Sequence, residues 1–388
     1  MGGKCIICNS DRLENLRTTK KEVYVTGDRK GFEKGKRKIE KVICKNCGTV
    51  QFLQNEDFKS AIDEVYQNYD IMHDKAWNIG KCGHKPRLQV TYETISKAVH
   101  IEKSGNMLDV GCGGGEALHY FNRIYPEWNL YGMDIGEQFR EEVMGRKNVK
   151  KFFTSLPELR NSNIKFDFIS INNTLSLAAN PAQIMRTIYD LLEDDGVFFV
   201  RDADFEIHPW LLYEIESCSF YTKRHMENII RFFGFDICKT DLGFEKKEIG
   251  IIAKKSSETQ LMFENLYSEN KRIYDEKIEF MNKVIDKVKN YINRNKFIGI
   301  FGTSIAGVWL SDIITKNGFA HSDSKIFYID EDEEFLRKKT GVNDYPIYKL
   351  DDITDHAVVF LPFPNYIAEN IKERCEAIYD NLEFVSFR

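Results

Sequence analysis

The sequence predicts an α/β protein in three parts: a small metal-binding ribbon, a central doubly wound, Rossmann-like domain and a smaller C-terminal Rossmann-like domain. Three observations lead to this prediction. Two Cys-x-x-Cys pairs bracket the first segment, apolar runs begin to alternate with amphipathic stretches at Asn106, and a second alternation begins at Phe297. A chain of 388 residues is long enough for two such domains and a small module.

The two cysteine pairs predict a zinc site in a ribbon that spans residues 1–60. Cys5 and Cys8 form the first pair, and Cys44 and Cys47 form the second. Two such turns can place four thiolates around one tetrahedral zinc ion. We expect a structural zinc, because four cysteine ligands leave no open position and the short β-prone segment between the pairs cannot supply a core. A thioredoxin-like redox pair is the alternative interpretation.

Residues 61–255 are predicted to form the central domain. A helical stretch between Ala61 and His100 carries four aromatic residues, Tyr66, Tyr69, Trp77 and Tyr92. Short apolar runs separated by helix-length segments are typical of buried parallel strands in a doubly wound sheet. The predicted strands are Met107–Val110, Leu130–Met133, Phe166–Ile171 and Val197–Val200.

The remainder of the chain is predicted to hold a connecting helix and a second sheet. Residues 256–295 are charged and periodic, which predicts a helical linker outside the core, and we favour a spacer over a dimer contact. Residues 296–388 then repeat the α/β pattern on a smaller scale. The predicted elements are strands Phe297–Phe301, Ile326–Ile329 and Ala357–Leu361 and helices Ile305–Lys316 and Tyr366–Ile378.

Charge and hydropathy favour a small-molecule substrate. The net charge of −5 gives no general attraction to nucleic acid, and the basic residues between Arg29 and Lys45 are typical of a solvated hairpin tip. No apolar run reaches the roughly 18 residues that a membrane helix needs, and the N-terminus lacks the apolar core of a signal peptide. We therefore predict a cytoplasmic protein without a membrane segment, and the charge disfavours nucleic acid as its partner. Monomer and homodimer both remain open.

A glycine loop follows the first strand of the central domain. The strand carries Asp109, and residues 111–115 read Gly-Cys-Gly-Gly-Gly before the next helix. Such glycines let the backbone approach a ligand that faces the helix N-terminus, and alone they would also suit a nicotinamide cofactor. A carboxylate at Asp109 suits the cationic amino group of a methionine moiety, and Asp134 ends the next strand where ribose hydroxyls would lie. The pattern favours S-adenosylmethionine.

These residues resemble motifs I and II of the class I S-adenosylmethionine-dependent methyltransferases. The resemblance implies that the methionine end of the cofactor is lined by Asp109, Gly111, Cys112 and Gly113. It also implies that Asp134 holds the ribose and that the adenine lies near Thr154, Ser155 and Leu156. Asn172, at the end of the fourth strand, would lie over the cleft.

The order of the three parts resembles the sugar C-methyltransferases that act on nucleotide-linked ketosugars. In the C-terminal part, the stretches Gly299–Gly307 and Val358–Asn365 and the strand-end Asp330 look like that family's last domain. The resemblance implies a nucleotide-linked sugar as acceptor, held between the catalytic and C-terminal domains. The glycine loop of the C-terminal part is by itself a weak signal, because no Lys follows it as in a P-loop.

The catalytic segment departs from that family. Where the family carries Tyr-x-Glu-His, alignment places Glu216 on the Glu but Ser217 on the His. A serine cannot remove an acidic proton next to a ketone at neutral pH, whereas a histidine can. Candidate bases are His208, His225 and Glu216, the last with its pKa raised by burial. Transfer to nitrogen or oxygen would instead rely on positioning, so carbon, oxygen and nitrogen acceptors stay open.

Two other functions are compatible with the sequence. An RNA methyltransferase could use the ribbon and its basic loop as a guide, but the acidic total charge argues against it. The missing histidine would also suit a non-catalytic scaffold that binds S-adenosylmethionine. The intact Asp109, glycine loop and Asp134 argue against a scaffold, because a protein without activity has no need of a cofactor loop.

Overall fold

The computed structural model describes residues 3–67, 77–78, 85–242, 245–256, 263–331, 336 and 341–387. Three sheets carry the fold, with four, seven and six strands, and two further pairs of short strands accompany them. Within these residues, no helix is both long enough and apolar enough to cross a membrane. Tyr69, which the sequence analysis placed in an aromatic helical stretch, lies outside the described residues.

The N-terminal sheet is completed by a strand from much later in the chain. Its order is β1-β4-β5-β13, and Ser219 in the last strand pairs with Gln51. Along the chain, a separate hairpin of β2 and β3 lies between β1 and β4, and helix α1 follows β5. The bounds are β1 Leu13–Asn15, β2 Tyr24–Val25, β3 Gly31–Phe32, β4 Lys41–Cys44, β5 Val50–Phe52, β13 Ser219–Phe220 and α1 Glu56–Gln67.

The central sheet has seven strands in the order β10-β9-β8-β11-β12-β15-β14. Six strands run in one direction and β15 runs against both of its neighbours, which confirms the predicted Rossmann-like sheet. The chain order reverses between β8 and β11, so a ligand is expected outside the carboxyl ends of these strands. The bounds are β8 Asn106–Val110, β9 Asn129–Met133, β10 Val149–Phe153, β11 Phe166–Asn172, β12 Leu192–Ala203, β14 Phe235–Thr240 and β15 Glu248–Lys255.

Helices cover both faces of this sheet, and a short strand pair precedes them. The predicted helical stretch between Ala61 and His100 is in fact divided, because the pair β6 and β7 separates α1 from α2. Ser155 and Asn180 cap their helices through side-chain oxygens, as N-cap residues do. The bounds are β6 Trp77–Asn78, β7 Lys85–Pro86, α2 Arg87–Ala98, α3 Glu116–Ile124, α4 Arg140–Met144, α5 Leu156–Asn161, α6 Pro181–Leu191 and α7 Lys223–Phe232.

The C-terminal sheet has six strands in the order β18-β19-β17-β16-β20-β21. All of its pairs are parallel except β18 with β19, and β16 is again the strand from which the order turns. The bounds are β16 Phe297–Phe301, β17 Lys325–Ile329, β18 Gly341–Val342, β19 Tyr345–Tyr348, β20 Ala357–Leu361, β21 Leu382–Ser386, α9 Ile305–Lys316 and α10 Asn365–Glu376.

The long helix α8, Tyr267–Ile292, is part of the core. The sequence analysis expected a connecting helix outside the core, but Ile278, Met281 and Val288 are fully buried. They belong to one apolar cluster that also contains residues of the N-terminal strands and of the C-terminal sheet. The physical reason is the apolar stripe itself, since a helix that carries one is stable only when another surface covers it. Residues 257–262 of the predicted linker lie outside the described residues.

Candidate active site

The glycine loop lies at the carboxyl end of β8, where the strand order reverses. Gly111, Gly113 and Gly115 all have positive φ, at 73°, 47° and 79°. A Cβ at Gly111 would lie 2.2 Å from Oγ1 of Thr174, so this position accepts only glycine. A Cβ at Gly113 would meet no atom of the described residues within 4 Å. The loop therefore presents its backbone to open space beside the first turn of α3, as a ligand-binding loop does.

Asp109 lies beneath this loop in a polar network. Its Oδ1 accepts hydrogen bonds from Ser170 Oγ at 2.5 Å and from Asn172 Nδ2 at 3.1 Å. Tyr92 of α2 extends the network, because its hydroxyl donates to Ser170 Oγ at 3.1 Å. Burial raises the pKa of Asp109 to about 7, with partial compensation by these hydrogen bonds. A bound cation beside the carboxylate would lower that pKa again, which fits the amino group of a methionine moiety.

Asn172 adds an acceptor to the same place. Its Oδ1 is buried and has no hydrogen-bond partner within the described part of the chain. An orphaned carbonyl oxygen is costly unless a ligand or water satisfies it. Its position next to Asp109 suits an ammonium donor, so the residues present fit the methionine end of S-adenosylmethionine.

Asp134 follows β9 and turns both oxygens toward backbone amides. Its Oδ2 accepts from Gly113 N at 2.9 Å, and its Oδ1 accepts from Gly136 N at 2.9 Å. The carboxylate is thereby fixed against the glycine loop. Ile135, directly after it, is 75% exposed, although it is a large apolar residue. The sequence analysis missed Ile135, whose only signal was its place after the acid.

The three residues predicted near adenine lie at the carboxyl end of β10. Thr154 donates its backbone N–H to Glu158 Oε2 at 3.0 Å, and Ser155 Oγ accepts from Glu158 N at 3.3 Å. Leu156 is the first residue of α5. These bonds form an N-terminal cap for α5, and the backbone of Asp134 bonds to Phe153 across the two strand ends. The three residues are therefore on the same sheet edge as Asp109.

Cys112 occupies the loop but turns its side chain inward. It is buried, and its Sγ would lie 2.7 Å from a Cβ placed on Gly132 of β9. Burial raises the pKa of the thiol well above its usual value. The side chain thus packs the loop against the sheet, and only the Cys112 backbone is oriented to meet a ligand.

A small polar cavity lies at the carboxyl ends of β11 and β12. Its volume is about 20 Å³, enough for one water molecule. Asp202 is fully bonded there: Ser176 Oγ and the Ala203 N–H donate to its Oδ1, both at 2.8 Å, and Ser176 N donates to its Oδ2 at 2.9 Å. The polar residues of the lining are Ser176, Asp202, Glu214, Ser217, Ser219 and Tyr221.

Glu214 and Ser217 form a hydrogen-bonded pair in this cavity. Ser217 Oγ donates to Glu214 Oε2 at 2.9 Å. Burial raises the pKa of Glu214 to about 7, and the charge of Asp202 adds to the effect. The sequence analysis named Ser217 as the position of a missing histidine but passed over Glu214. The available signal was a second acid two residues before Glu216.

Glu216 points to the N-terminal hairpin. Its Oε1 accepts from Gly27 N at 2.5 Å, in the turn between β2 and β3. Its Oε2 is buried and, among the described residues, has no partner. Burial and the charge of Glu214 raise the pKa of Glu216 to about 8. The residue is 3% exposed and is not among the residues that line the small cavity.

The two candidate histidines lie elsewhere. His225 is fully buried in α7, and its Nε2 lies 3.3 Å from Thr49 Oγ1, which in turn contacts Cys47 Sγ. Burial lowers the pKa of His225 to about 4, and burial with the charge of Lys247 lowers that of His208 to about 3. Neither is among the described residues that line the small cavity. At neutral pH both rings are uncharged and weakly basic.

The four cysteines converge at the start of the N-terminal sheet. Their sulfur atoms lie within 4.8 Å of one another, with Cys5 Sγ 3.6 Å from Cys47 Sγ and Cys8 Sγ 3.6 Å from Cys44 Sγ. Four sulfurs at Zn–S bonds of about 2.3 Å are separated by roughly 3.8 Å in a tetrahedron. The backbone N–H of Asn46 points at Cys44 Sγ at 3.4 Å. This donor set fits one zinc ion.

Comparison with known proteins gives a consistent result for the central sheet. A protein family described as a methyltransferase domain matches residues 86–240. An uncharacterized protein of Methanocaldococcus jannaschii is 23% identical over 41% of this chain and 47% of its own length. The malonyl-[acyl-carrier protein] O-methyltransferase of Bacillus cereus is 22% identical over 48% of this chain and 70% of its own. The chain thus spans about half the length of the first relative.

One solved structure among those similar to this chain covers about half of it. A S-adenosylmethionine-dependent methyltransferase from Clostridium acetobutylicum is 14% identical, with a TM-score of 0.38, and covers 52% of this chain and 98% of its own. The range that matches the methyltransferase-domain family, residues 86–240, is less than half of the chain. Asp109, the glycine loop and Asp134 all fall inside that range.

Proposed function

We propose that this S-adenosylmethionine-dependent methyltransferase methylates a small polar acceptor, a nucleotide-linked sugar. The observation that carries the proposal is the shared edge of the central sheet. There, Asp109 and Asp134 flank an open glycine loop, and a cavity with room for one water molecule lies beside Asp202 at the ends of β11 and β12. A methyl donor and an acceptor bound at one edge meet without either crossing the sheet.

The cofactor is assigned to the residues that follow β8, β9 and β10. Asp109 and the orphaned Asn172 oxygen would hold the amino group of its methionine, and the backbone of residues 111–113 would line that end. Asp134 would accept from the ribose hydroxyls. Thr154, Ser155 and Leu156 would border the adenine, against which the exposed Ile135 would pack. When bound, the cofactor supplies a methyl group on a sulfonium centre.

The acceptor is assigned to the space between the central and C-terminal sheets. The loop before β15 reaches α10, because Tyr366 donates its hydroxyl to Glu245 Oε2 at 3.1 Å and Lys246 lies 5.4 Å from the Tyr366 ring. On the other side, Arg29 of the N-terminal hairpin donates to Thr303 Oγ1 at 3.1 Å, just after β16. These contacts border the sheet edge with C-terminal residues. The resemblance to sugar C-methyltransferases supplies the substrate class.

We assign four units to the chain: a zinc ribbon over 1–60, the methyltransferase domain over 61–255, a helical segment over 256–295 whose helix α8 packs in the core, and a C-terminal Rossmann-like domain over 296–388. The zinc is structural in this proposal, because four thiolates fill its coordination sphere. A reducing compartment such as the cytoplasm suits these thiolates. The three candidate bases of the sequence analysis, Glu216, His208 and His225, are not among the described residues that line the cavity.

The test is transfer of a labelled methyl group from S-adenosylmethionine to a panel of acceptors. The panel holds nucleotide-linked ketosugars, nucleotide-linked aminosugars and malonyl-[acyl-carrier protein], the last because of the Bacillus cereus relative. We expect label on a sugar with the wild type and none with Asp109→Ala. Label only on the carrier protein, or on no acceptor while S-adenosylmethionine still binds, would overturn the sugar assignment.

A further inference from the structure

Glu214 and Glu216, in the segment after β12, have different surroundings although only one residue separates them. The segment is held from both sides: Ile215 N donates to Val25 O at 3.0 Å in the N-terminal hairpin, and Cys218 N donates to Ser176 O at 2.8 Å after β11. Both anchors fix the backbone, so each glutamate faces a defined environment. One lines the cavity and the other faces the hairpin turn.

Of the two glutamates, Glu214 is the one that lines the cavity, which has room for one water molecule. It borders the cavity beside Asp202, and its exposure is intermediate, whereas Glu216 is buried. Ser217 donates to one carboxylate oxygen at 2.9 Å, which fixes the rotamer and leaves the other oxygen to accept a proton. The neighbouring acid Asp202 already accepts three hydrogen bonds. Glu214 is therefore the cavity carboxylate with capacity for a further proton.

Glu216 has a different use. Its Oε1 accepts the N–H of Gly27, and its other oxygen is enclosed by protein. A carboxylate bound in this way ties the hairpin of β2 and β3 to the catalytic segment. Glu216 would have to break its hydrogen bond with Gly27 to reach an acceptor. Glu216 is thus suited to positioning.

We infer that Glu214 is the general base of methyl transfer, that Ser217 orients it, and that Glu216 positions the segment by holding the N-terminal hairpin. This inference rests on the proposed function and deepens it. It gives the role of the missing histidine to Glu214, which was not among the candidate bases of the sequence analysis. Two observations carry the assignment: Glu214 lines the cavity and bonds to Ser217, whereas Glu216 bonds to Gly27 of the hairpin.

The step balances without a further reactant. The acceptor atom, a hydroxyl oxygen, an amine nitrogen or an acidic carbon next to a ketone, forms a bond to the methyl carbon. The bond from that carbon to sulfur breaks and its electron pair stays on sulfur, which leaves the neutral thioether. The proton of the acceptor atom passes to the free oxygen of Glu214. One carboxylate is consumed per turnover and is restored when the proton returns to solvent.

The charges around Glu214 set the pH at which it can act. It faces Asp202 from β12, Glu216 from its own segment, the Tyr66 phenol from α1 and the Tyr221 phenol across the cavity. Burial raises the pKa of Glu214 most, the negative charge of Asp202 adds to this effect, and the hydrogen bond from Ser217 lowers the pKa in part, while the two phenols are uncharged. Activity should fall as the pH is lowered through the pKa of Glu214, near 7.

The test compares Glu214→Gln with the matched control Glu383→Gln, at an exposed glutamate of β21. Glutamine keeps the size of the side chain and, at position 214, an acceptor for Ser217, so both variants should fold, which circular dichroism checks. With the sugar identified by the acceptor panel, we expect Glu214→Gln to lower kcat on the order of 100-fold or more and to leave binding of S-adenosylmethionine unchanged. We expect less than a threefold change of kcat in Glu383→Gln. A folded Glu214→Gln variant with near wild-type kcat would overturn the inference.

Ser217→Ala gives a readout that a merely structural role would not move. Its hydroxyl favours the charged form of Glu214, so its loss should shift the acidic limb of the kcat profile to higher pH. Ser217→Thr, which keeps the hydroxyl, should restore the wild-type limb. An unshifted limb in Ser217→Ala would exclude an orienting role for Ser217.

A measurement without acceptor separates this inference from the proposed function. Carbon-13 NMR of protein labelled at its glutamate carboxyls follows each proton affinity directly. We expect a carboxyl that titrates near pH 7 in the wild type and in Glu216→Gln but not in Glu214→Gln. If this carboxyl is present and the panel shows no methylated sugar, the substrate class is wrong and the base assignment stands. If no such carboxyl exists, the base assignment is wrong whatever the acceptor.

Discussion

The two halves of the catalytic edge are built in different ways. The cofactor half takes its residues from the ends of the successive strands β8, β9, β10 and β11, within residues 109–172. The acceptor half combines Ser176, Asp202 and the Glu214–Ser217 pair with the hairpin residues Val25 and Gly27. The first half is a local motif and the second is a tertiary assembly. A change in one half should therefore leave the binding function of the other intact.

The largest expected effect tests this separation in the cofactor half. Asp134→Ala removes the acceptor of the Gly113 and Gly136 amides as well as the proposed ribose contacts. We expect the Kd for S-adenosylmethionine, measured by isothermal titration calorimetry, to rise on the order of 100-fold. Asp236→Ala, at an exposed aspartate of β14, is the control and should leave the Kd unchanged. Equal weakening by Glu214→Gln would show that the two halves are not separate.

Zinc removal tests how strongly the acceptor half depends on the N-terminal sheet. Cys44→Ser should abolish the one bound zinc found by metal analysis and lower Tm by roughly 10 °C, because metal binding contributes directly to the stability of such a module. Since β5 pairs with β13 next to the cavity, kcat should fall as well while cofactor binding persists. The exposed Cys238 provides the control Cys238→Ser. Wild-type protein without zinc would contradict this prediction.

A pH titration of stability tests whether Glu216 is buried in the hairpin contact. The raised pKa of Glu216 means that the unfolded chain loses this proton near pH 4.5 and the native chain only near pH 8. The native state then binds more protons than the unfolded state between these values, so stability should fall as pH rises. Glu216→Gln should flatten that fall by about 2 kcal/mol in urea unfolding at pH 5 and pH 8.

The exposed Glu383 of β21 provides the control variant for this titration, Glu383→Gln. It should keep the wild-type slope, because an exposed carboxyl changes its proton affinity little on folding. An unchanged slope in Glu216→Gln would mean that Glu216 is already exposed to water in solution.

The smallest expected effect concerns Ile135 at the cofactor half. Its exposed side chain should become covered when the adenine binds, so Ile135→Ala should raise the Kd for S-adenosylmethionine about fivefold to tenfold. The Tm of the protein without cofactor should not change. Ile378 is 70% exposed and lies in the C-terminal part, so Ile378→Ala is the matched control. Equal effects of both variants would remove Ile135 from the proposed adenine site.

Prediction from the sequence succeeded where a segment is both local and apolar. The strands β8, β9, β11 and β12 appeared as short apolar runs because both of their faces are buried. Strand β10 was missed, since it lies at the sheet edge and carries Lys150 and Lys151 on exposed positions. The apolar face of α8 was visible in the sequence as a periodic pattern. Its burial was not predicted, because the surfaces that cover it come from both ends of the chain.

The sequence by itself determined the Rossmann-like central sheet, the glycine loop with its two acids and the pairing of four cysteines. Each of these depends on spacing over a few residues, which backbone geometry converts directly into position. Only the tertiary structure decided which glutamate faces the cavity and that neither candidate histidine is among the described residues that line it. These placements depend on contacts between segments that are far apart in the chain, such as the contact of Gly27 with Glu216, which are 189 residues apart. Burial at those contacts sets the proton affinities, and no local pattern encodes it.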